Sequence, residues 1–458
     1  QVGNLLALEP AALERVVVFD GPAGFPGVRT LAEELAAGSR RVDAGATDYR
    51  ARAAEVRPDD VATLIYTSGT TGEPKGVMLT HRNLASNVAA VHAHRIAELE
   101  VGDVALSFLP LSHVFERLVD YYYWDSGLTI AYAESIEKVA ESLVEVRPHV
   151  VASVPRLFDK IHAKVMAATG LKRRLVLWAK EVGEEVLEVR MAGRSPGAAL
   201  ALRHRVAERL VFSKLRARTG GRVRAFISGG APLSPDVARF FIAAGLPLYE
   251  GYGLTETSPV IAANTQSAWR IGTVGRPIPG VEVRLDAHGE ILTRGPHVMK
   301  GYWNRPEATA EVLDADGWLH TGDIGVIDDD GFVRITDRAK NLIVTAGGKN
   351  IAPQPIENAV AMSPYVAQVV MLGDRRPYPI LLVFPEFENL ARWATEQGID
   401  AADRELLVAD PRVRELFERE TLGRLTDLAR FEVPKKILVL PDEPTVESGL
   451  LTPTMKMR

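Results

Sequence analysis

The 458-residue sequence contains no cysteine. This excludes a disulfide scaffold, a cysteine-ligated zinc or iron–sulfur site, and catalysis by a cysteine nucleophile. No apolar run approaches the roughly 18 residues that predict a transmembrane helix, and no secretory signal is visible at the start. Glycine and proline, at 38 and 28 residues, occur at ordinary frequency, so the chain is neither collagen-like nor of low complexity.

The net charge of −5 argues against a dedicated nucleic-acid binder. The charge is uneven, because residues 156–224 hold 17 lysines and arginines against 6 acidic residues. Apolar residues recur every three or four positions here, which predicts a helical insertion over about 157–222. Two interpretations stay open for this basic segment: a solvated outer face, or a surface that meets an anionic membrane or a polyphosphate.

Elsewhere, short β-rich runs alternate with helical patterns, which predicts an α/β core with parallel strands. The run at 61–66 is a strand that leads into a Gly/Ser/Thr loop, and Thr80 is a predicted N-cap for a helix over 81–96. Ser234 and Gly245 are predicted to start and end another helix. From about Gly272, short strands and turns predict a small β subdomain, followed by a final unit of mixed strands and helices.

The segment Thr67–Gly76, TSGTTGEPKG, carries the strongest chemical signal. Its glycines let backbone N–H groups approach an anion, its hydroxyls add donors, and Lys75 supplies a positive charge. We therefore predict a polyphosphate-binding loop, although it is not a Walker A sequence. A purely structural Gly/Thr turn is the less favoured interpretation.

Two weaker signals carry polar residues suited to the rest of a nucleotide. In YGLTET (252–257), Thr255 and Glu256 could hold Mg²⁺ together with phosphate oxygens. We predict that Asp323 in TGD lies on a tight turn and accepts the hydroxyls of a sugar, with Arg338 near it. Taken alone, each is more often a cap, turn or surface residue. The histidines show no metal-ligand spacing, and no Gly-x-Ser-x-Gly elbow occurs.

Together these stretches resemble the adenylate-forming (ANL) superfamily, and within it the AMP-forming long-chain fatty-acyl-CoA synthetases. The matching stretches are YTSGTTGEPKGVMLTH, FLPLSHVFER, ISGGAPL, YEGYGLTETSP, GEILTRGPHVMKGYW, WLHTGD, ITDRAKN, TAGGKNIAPQPIE and LLTPTMKMR. They occur in family order from Val61 to the end. The resemblance implies two half-reactions: a fatty carboxylate and ATP form acyl-AMP and pyrophosphate, and CoA then displaces AMP.

The resemblance also implies residue roles. The triphosphate would be held by Thr67, Ser68, Gly69, Thr70, Thr71, Gly72 and Lys75, and Mg²⁺ by Thr67 and Glu256, beside Thr255. The adenine would be framed by Gly229, Gly230, Ala231, Glu250, Gly251 and Tyr252, and the ribose would meet Asp323 and Arg338. Lys456 would act on the acyl carboxylate and α-phosphate. His113 and Phe115 would line the acyl pocket, although His113 could equally be a packed core residue.

The implied fold is α/β. A large N-terminal domain (1–337) of α/β layers carries the small β subdomain, and a small mobile α+β C-terminal domain (338–458) follows. Asp337 matches the hinge, and Gly347 and Gly348 the pantetheine tunnel. Relatives normally carry a further N-terminal subdomain and continue beyond Arg458, so we expect this sequence to be part of a longer chain.

Alternatives remain at this stage. A fatty-acyl-AMP ligase would pass the acyl group to a carrier protein, and such relatives tend to carry an insertion near the hinge, where DRAKNLIVTAGGKN is uninterrupted. A truncated, inactive nucleotide-binding protein is the second alternative. The partners expected are ATP, Mg²⁺, CoA and a long-chain fatty acid, without nucleic acid; a homodimer is left open. The expected location is cytoplasmic, with peripheral contact to the inner face of a membrane as a hypothesis.

Overall fold

The computed structural model describes residues 16–19, 28–45, 48–67, 74–338, 342–425, 428–442 and 444. It divides into two compact units, Gln1–Asp60 and Val61–Arg458. In the first unit, Thr30 and Glu33 form a reciprocal capping box that starts the longer of two helices. The elements of this unit are the parallel strands β1 (Val16–Val18) and β2 (Val28–Thr30) and the helices α1 (Leu31–Asp43) and α2 (Tyr49–Glu55).

The second unit holds all remaining elements. Its strands are β3 (Val61–Thr67), β4 (Lys75–Thr80), β5 (Val104–Ser107), β6 (Thr129–Tyr132), β7 (Val150–Ser153), β8 (Ala225–Ser228), β9 (Leu248–Gly253), β10 (Val260–Ala263), β11 (Arg276–Pro277), β12 (Glu282–Leu285), β13 (Glu290–Arg294), β14 (Gly301–Tyr302), β15 (Leu319–Ile327), β16 (Val333–Arg338), β17 (Ile343–Val344), β18 (Asn350–Ile351), β19 (Val366–Leu372), β20 (Ile380–Pro385) and β21 (Lys436–Val439). Its α-helices are α3 (His81–His94), α4 (Val114–Asp125), α5 (Val139–Val146), α6 (Pro155–Met166), α7 (Gly170–Met191), α8 (Ala198–Ala207), α9 (Ser213–Arg218), α10 (Pro235–Ala243), α11 (Pro306–Ala310), α12 (Pro353–Ala361), α13 (Phe387–Glu396), α14 (Arg404–Ala409) and α15 (Pro411–Leu422).

A seven-stranded sheet forms the centre of this unit, in the order β11-β10-β9-β8-β7-β5-β6. Strands β5 to β9 pair in parallel, and β10 and β11 add an antiparallel edge. Both faces are covered. Successive side chains of a strand point to opposite faces, and the neighbours Phe226 and Ile227 of β8 are buried in two different apolar clusters. The predicted α/β core with parallel strands is confirmed.

Local sequence signals locate several helix ends. Thr80 caps α3 as predicted, but the helix ends at His94 because Arg95 adopts a left-handed backbone with φ 55°. Gly245, with φ 73°, follows the end of α10 as predicted. Ser234 occupies the N-cap position of that helix, but its side chain makes no capping hydrogen bond.

The basic segment forms helices α6 to α9, which confirms its predicted helical character, while its being an insertion stays a prediction. A π-helical stretch, Glu208–Phe212, joins α8 to α9 and was not predicted. The segment covers one sheet face through aromatic edge contacts, with the ring centroids of Phe158 and Phe226 5.6 Å apart. Within the described ranges, no helix combines the length and apolar character needed to cross a bilayer.

The predicted β subdomain is an antiparallel sheet in the order β12-β13-β15-β16. The tight turn predicted at Asp323 is wrong, because this residue lies within β15 and pairs with Arg338 of β16. The pairing of β13 with β15 shifts register here, and Gly322 has φ 72°. An irregular step inside one strand therefore produces the glycine pattern that predicted a turn.

The C-terminal part has its own apolar core, formed by residues between Ile343 and Val439. Strands β17 and β18 form a short hairpin, β19 and β20 pair antiparallel, and β21 joins β20 in parallel. This mixture of strands and helices matches the predicted α+β character. The domain boundary at 337/338 stays a prediction.

Candidate active site

The predicted phosphate-binding loop begins at the ends of two paired strands. Thr67, at the end of β3, pairs with Lys75, at the start of β4, and the Thr67 hydroxyl lies 3.5 Å from the Lys75 carbonyl oxygen. Five predicted loop residues fall outside the described part of the chain: Ser68, Gly69, Thr70, Thr71 and Gly72. A Cβ atom added at Gly76 would lie 3.1 Å from the Tyr66 ring, so a larger residue would crowd this end of the loop.

Lys75, Tyr302 and Glu256 form a connected group next to that loop. The Tyr302 hydroxyl donates a 2.8 Å hydrogen bond to Glu256 Oε1, and the Lys75 ammonium lies 5.0 Å from the centre of the Tyr302 ring. Burial and the Glu256 charge raise the pKa of Tyr302, so its phenol remains a donor. Thr255 and Glu256 stand in a 3₁₀ turn directly after β9, as expected. The sequence pattern alone did not identify Tyr302.

This donor set fits a magnesium–phosphate site. Carboxylate and hydroxyl oxygens are the ligands that Mg²⁺ prefers when phosphates complete its shell. Glu256 supplies the carboxylate and Thr67 a hydroxyl at the mouth of the loop, while Lys75 adds a positive charge for phosphate. The chemistry of these residues therefore fits a site for Mg²⁺ and phosphate.

Asp323 is the centre of a second group. It is 4% exposed, and its Oδ2 accepts a 2.7 Å hydrogen bond from the Tyr252 hydroxyl, while Oδ1 lies 3.2 Å from Arg338 Nε. Burial and the Asp323 charge hold the pKa of Tyr252 well above its usual range. The structure thus brings together three residues predicted for the adenine and ribose.

The Gly229–Ala231 turn follows β8 and contacts a predicted acyl-pocket residue. A Cβ atom at Gly229 would lie 3.0 Å from the Phe115 ring, and the Gly229 N–H donates to the Ser153 carbonyl at 3.1 Å. Gly230 has φ 79°, a conformation that favours glycine. Phe115 thus packs directly beneath the turn.

Glu250 and Gly251 lie on β9, where Glu250 pairs with Ser228 of β8. Burial raises the Glu250 pKa to about 8, although the Leu233 N–H donates to the carboxylate. A carboxyl with this pKa is largely protonated at neutral pH and can donate a hydrogen bond. This property is consistent with a position beside a nucleobase.

His113 begins α4, where its Nδ1 accepts a 3.2 Å hydrogen bond from the Phe115 N–H. Its side chain is exposed, so the core-packing interpretation is wrong. His92 and His94 diverge as predicted, toward Asp125 and the Ala263 carbonyl. Across the described residues, no cluster of three or more His, Asp or Glu is arranged to hold a metal ion.

Asp337, the predicted hinge residue, is 3% exposed at the end of β16. It accepts hydrogen bonds from the backbone N–H groups of Arg338, at 2.6 Å, and Gln354, which ties β16 to α12. Burial raises its pKa to about 6. Gly347 and Gly348 form the exposed turn of the β17–β18 hairpin. Lys456 lies outside the described residues.

A pair of buried acids on α4 was not predicted from the sequence. Glu116 and Asp120 are each 1% exposed. Glu116 Oε1 accepts hydrogen bonds from the Ser107 hydroxyl at 2.7 Å, the Phe108 N–H at 3.0 Å and the Leu109 N–H at 3.3 Å. Burial is the main cause that raises the Glu116 pKa to about 7. The Glu116 carboxyl therefore fixes the start of the loop between β5 and α4 by hydrogen bonds.

Comparison with known proteins places these groups in context. The family profile of AMP-binding enzymes matches residues 9–303, and that of the AMP-binding enzyme C-terminal domain matches residues 340–409. The chain is 40% identical to the long-chain-fatty-acid–CoA ligase FadD15 of Mycobacterium bovis, over 92% of this chain and 71% of that protein.

Two solved structures share the fold. The adenylation domain of a carboxylate reductase from Mycobacterium chelonae is 26% identical, with a TM-score of 0.65 over 94% of this chain and 61% of that one. ATP-bound MatB from Rhodopseudomonas palustris is 27% identical, with a TM-score of 0.59 over 85% of this chain and 66% of that one. The chain therefore spans about two thirds of these proteins.

Proposed function

The chain belongs to the AMP-binding enzyme family and is a long-chain-fatty-acid–CoA ligase, and we propose that it works through an acyl-adenylate formed at the site described above. One observation carries this proposal. Lys75, Tyr302 and Glu256 are in contact, and four residues before Glu256 the same chain segment supplies Tyr252, which binds Asp323. The residues proposed for the phosphates and those proposed for the sugar therefore adjoin along one segment.

In the first half-reaction, a carboxylate oxygen of the fatty acid attacks the α-phosphorus of ATP, and pyrophosphate leaves. Little covalent assistance is needed, so the enzyme contributes position and charge. Lys75 would neutralise the outer phosphates, Thr67 and Glu256 would hold Mg²⁺, and Lys456 would approach the reacting carboxylate. A bound Mg²⁺ would neutralise charge on the phosphate oxygens and favour departure of pyrophosphate.

The adenosine would be fixed by the second group. Asp323 would accept the two ribose hydroxyls, since a buried carboxylate held by Tyr252 and Arg338 is a strong, oriented acceptor. The Gly229–Ala231 turn and the Glu250–Tyr252 strand would border the adenine. Phe115, packed against Gly229, would place the acyl chain beside the α-phosphate.

In the second half-reaction, the CoA sulfur attacks the acyl carbonyl carbon as the thiol proton is lost to solvent, and AMP leaves with the electron pair of the broken C–O bond. The C-terminal part would first rotate about Asp337, so that the Gly347–Gly348 turn faces the incoming thiol and Lys456 withdraws. A hinge needs only a few residues that absorb backbone change, and Asp337 lies at the end of a strand, where such a change is local.

A product assay tests this function. The protein is incubated with ATP, Mg²⁺ and palmitate, with and without CoA, and the products are identified by mass spectrometry. We expect palmitoyl-CoA and AMP with CoA, and palmitoyl-AMP without it. Palmitoyl-AMP that never becomes a thioester would indicate transfer to a carrier protein, and ATP binding without either product would exclude the proposed reaction.

Peripheral membrane contact of the basic segment is a further part of the proposal. Leu171 is 81% exposed and Leu202 62% exposed, within the segment that carries the excess of arginine and lysine. Exposed leucines among basic residues suit an anionic lipid surface, where long-chain fatty acids also partition. Co-sedimentation with vesicles should therefore rise with anionic lipid content, and binding that ignores lipid charge would contradict this contact.

A further inference from the structure

Tyr302 joins two residues that the proposed function places on the same ligand. Its hydroxyl donates to Glu256 Oε1 at 2.8 Å, and its ring faces the Lys75 ammonium at 5.0 Å. The three residues come from separate segments: the start of β4, the turn after β9, and β14. One side chain therefore sets the spacing between a carboxylate and an ammonium group.

Tyr302 is itself held firmly. It is 7% exposed and pairs with Val77 in the β14–β4 ladder, and its N–H donates to Thr309 Oγ1 at 2.9 Å. The next residue, Trp303, donates its N–H to the Gly76 carbonyl at 2.8 Å. Because its backbone is fixed to the strand that begins with Lys75, the phenol is a rigid reference point for Glu256.

The chemistry of the contact leaves Glu256 able to bind a cation. The hydrogen bond uses one lone pair of one carboxylate oxygen, and an ionised carboxylate offers about four such sites. Hydrogen bonds to charged groups are stronger and more directional than neutral ones. The phenol therefore orients the carboxylate without neutralising it, while the π face of the ring holds the ammonium group.

We propose that Tyr302 is a positioning residue for the Mg²⁺–ATP complex, acting through Glu256 by its hydroxyl and through Lys75 by its ring. This assignment rests on the proposed function, in which those two residues bind the metal and the phosphates. The assignment gives separate roles to the hydroxyl and to the ring of Tyr302. The hydroxyl affects Mg²⁺ binding through Glu256, and the ring affects triphosphate binding through Lys75.

Tyr302→Phe removes the hydroxyl and keeps the ring. ATP binding is measured by calorimetry over a Mg²⁺ titration, without fatty acid, so that the readout is binding rather than turnover. We expect the half-saturating Mg²⁺ concentration to rise about tenfold, since a hydrogen bond to a charged group is lost. ATP affinity at saturating Mg²⁺ should stay near that of the wild type, and thioester formation from supplied acyl-AMP should be unchanged.

Tyr302→Leu also removes the ring, so ATP affinity should stay low even at saturating Mg²⁺. Tyr122→Phe is the matched control, because Tyr122 is similarly buried, at 5% exposed, and lies on α4. Its Mg²⁺ titration should match that of the wild type.

A Tyr302→Phe titration identical to that of the wild type would overturn the assignment, as would an equal loss in both half-reactions at every Mg²⁺ concentration. A double-mutant cycle with Glu256→Gln distinguishes a positioning role of Tyr302 from a general disturbance of the structure. Once Glu256 is changed, Tyr302→Phe should add no further loss, and additive losses would refute the inference. One result would separate this assignment from the proposed function. If the wild type makes no acyl-AMP but Tyr302→Phe still needs more Mg²⁺ than the wild type to bind ATP, the proposed activity fails and this assignment stands.

Discussion

The Tyr252 hydroxyl donates a 2.7 Å hydrogen bond to Asp323 Oδ2, and this bond links the central parallel sheet to the antiparallel sheet. Tyr252 lies on β9 and Asp323 on β15, within an irregular step of the strand pairing. The carboxylate is thus oriented by a residue of one sheet and supported by Arg338 of the other. The proposed ribose site depends on the two sheets keeping their relative position.

Tyr252→Phe should weaken ATP binding about tenfold, because the buried Asp323 carboxylate loses the hydrogen bond that orients it. Calorimetric titration with ATP measures this change. Tyr249→Phe, on the same strand and 5% exposed, is the control and should bind ATP as the wild type does. Unchanged ATP affinity in Tyr252→Phe would show that the bond does not serve the nucleotide.

Gly229→Ala should lower ATP affinity by about tenfold, since the added methyl group meets the Phe115 ring at 3.0 Å and crowding of this kind costs about 1–3 kcal/mol. Adding Phe115→Leu should restore most of the lost affinity. Gly38→Ala, at a position with open space, is the control. A double variant that binds ATP no better than Gly229→Ala alone would contradict the contact.

Glu116 should make stability depend on pH. Its pKa is about 7 in the folded protein against an ordinary value of 4.5, so between these values the unfolded chain releases a proton that the folded protein keeps. The stabilisation is complete below pH 4.5 and is lost as pH rises to about 7, by about 3 kcal/mol at 1.36 kcal/mol per unit. Urea unfolding of Glu116→Gln should therefore show a smaller fall in the free energy of unfolding between pH 5 and 7.5.

The matched control is Glu282→Gln. The hydrogen bond and charge of Arg294 lower the pKa of Glu282, so this acid is ionised in both states above pH 5. Its removal should leave the pH dependence as in the wild type. Equal slopes in Glu116→Gln and the wild type would mean that Glu116 ionises normally in the fold.

Lys456→Ala should slow acyl-AMP formation about a hundredfold, the usual effect of removing one group that stabilises developing charge. Thioester formation from supplied palmitoyl-AMP should remain largely intact, because the residue is assigned to the first half-reaction alone. Single-turnover assays of each step measure the two rates. Equal loss in both steps would refute the assignment.

Much of the architecture follows from local sequence. Strand–loop–helix repeats predicted the parallel core, and short polar turns predicted the antiparallel sheet. The TGD pattern predicts a turn at Asp323, whereas pairing with β13 and β16 makes the same residues part of an irregular strand. Pairing between distant segments is not visible in the local pattern.

Tyr302 and Glu116 were not predicted from the sequence because their contacts form only in the folded protein. Tyr302 stands in the stretch VMKGYW (298–303), and only its pairing with β4 brings its hydroxyl to Glu256. Glu116 is an acid on an amphipathic helix, and only the complete fold buries it against Ser107. One signal could have identified Glu116. It is a polar side chain near other motifs, at a position where the helical pattern predicts an apolar one.

The pairing of β14 with β4 has a consequence for synthesis of the protein. Lys75 leaves the ribosome long before Tyr302, so a growing chain contains the proposed phosphate-binding segment before its partner strand exists. A nascent chain that ends before residue 302 lacks the side chain that contacts both Lys75 and Glu256. This three-residue contact therefore forms only after β14 has been synthesised.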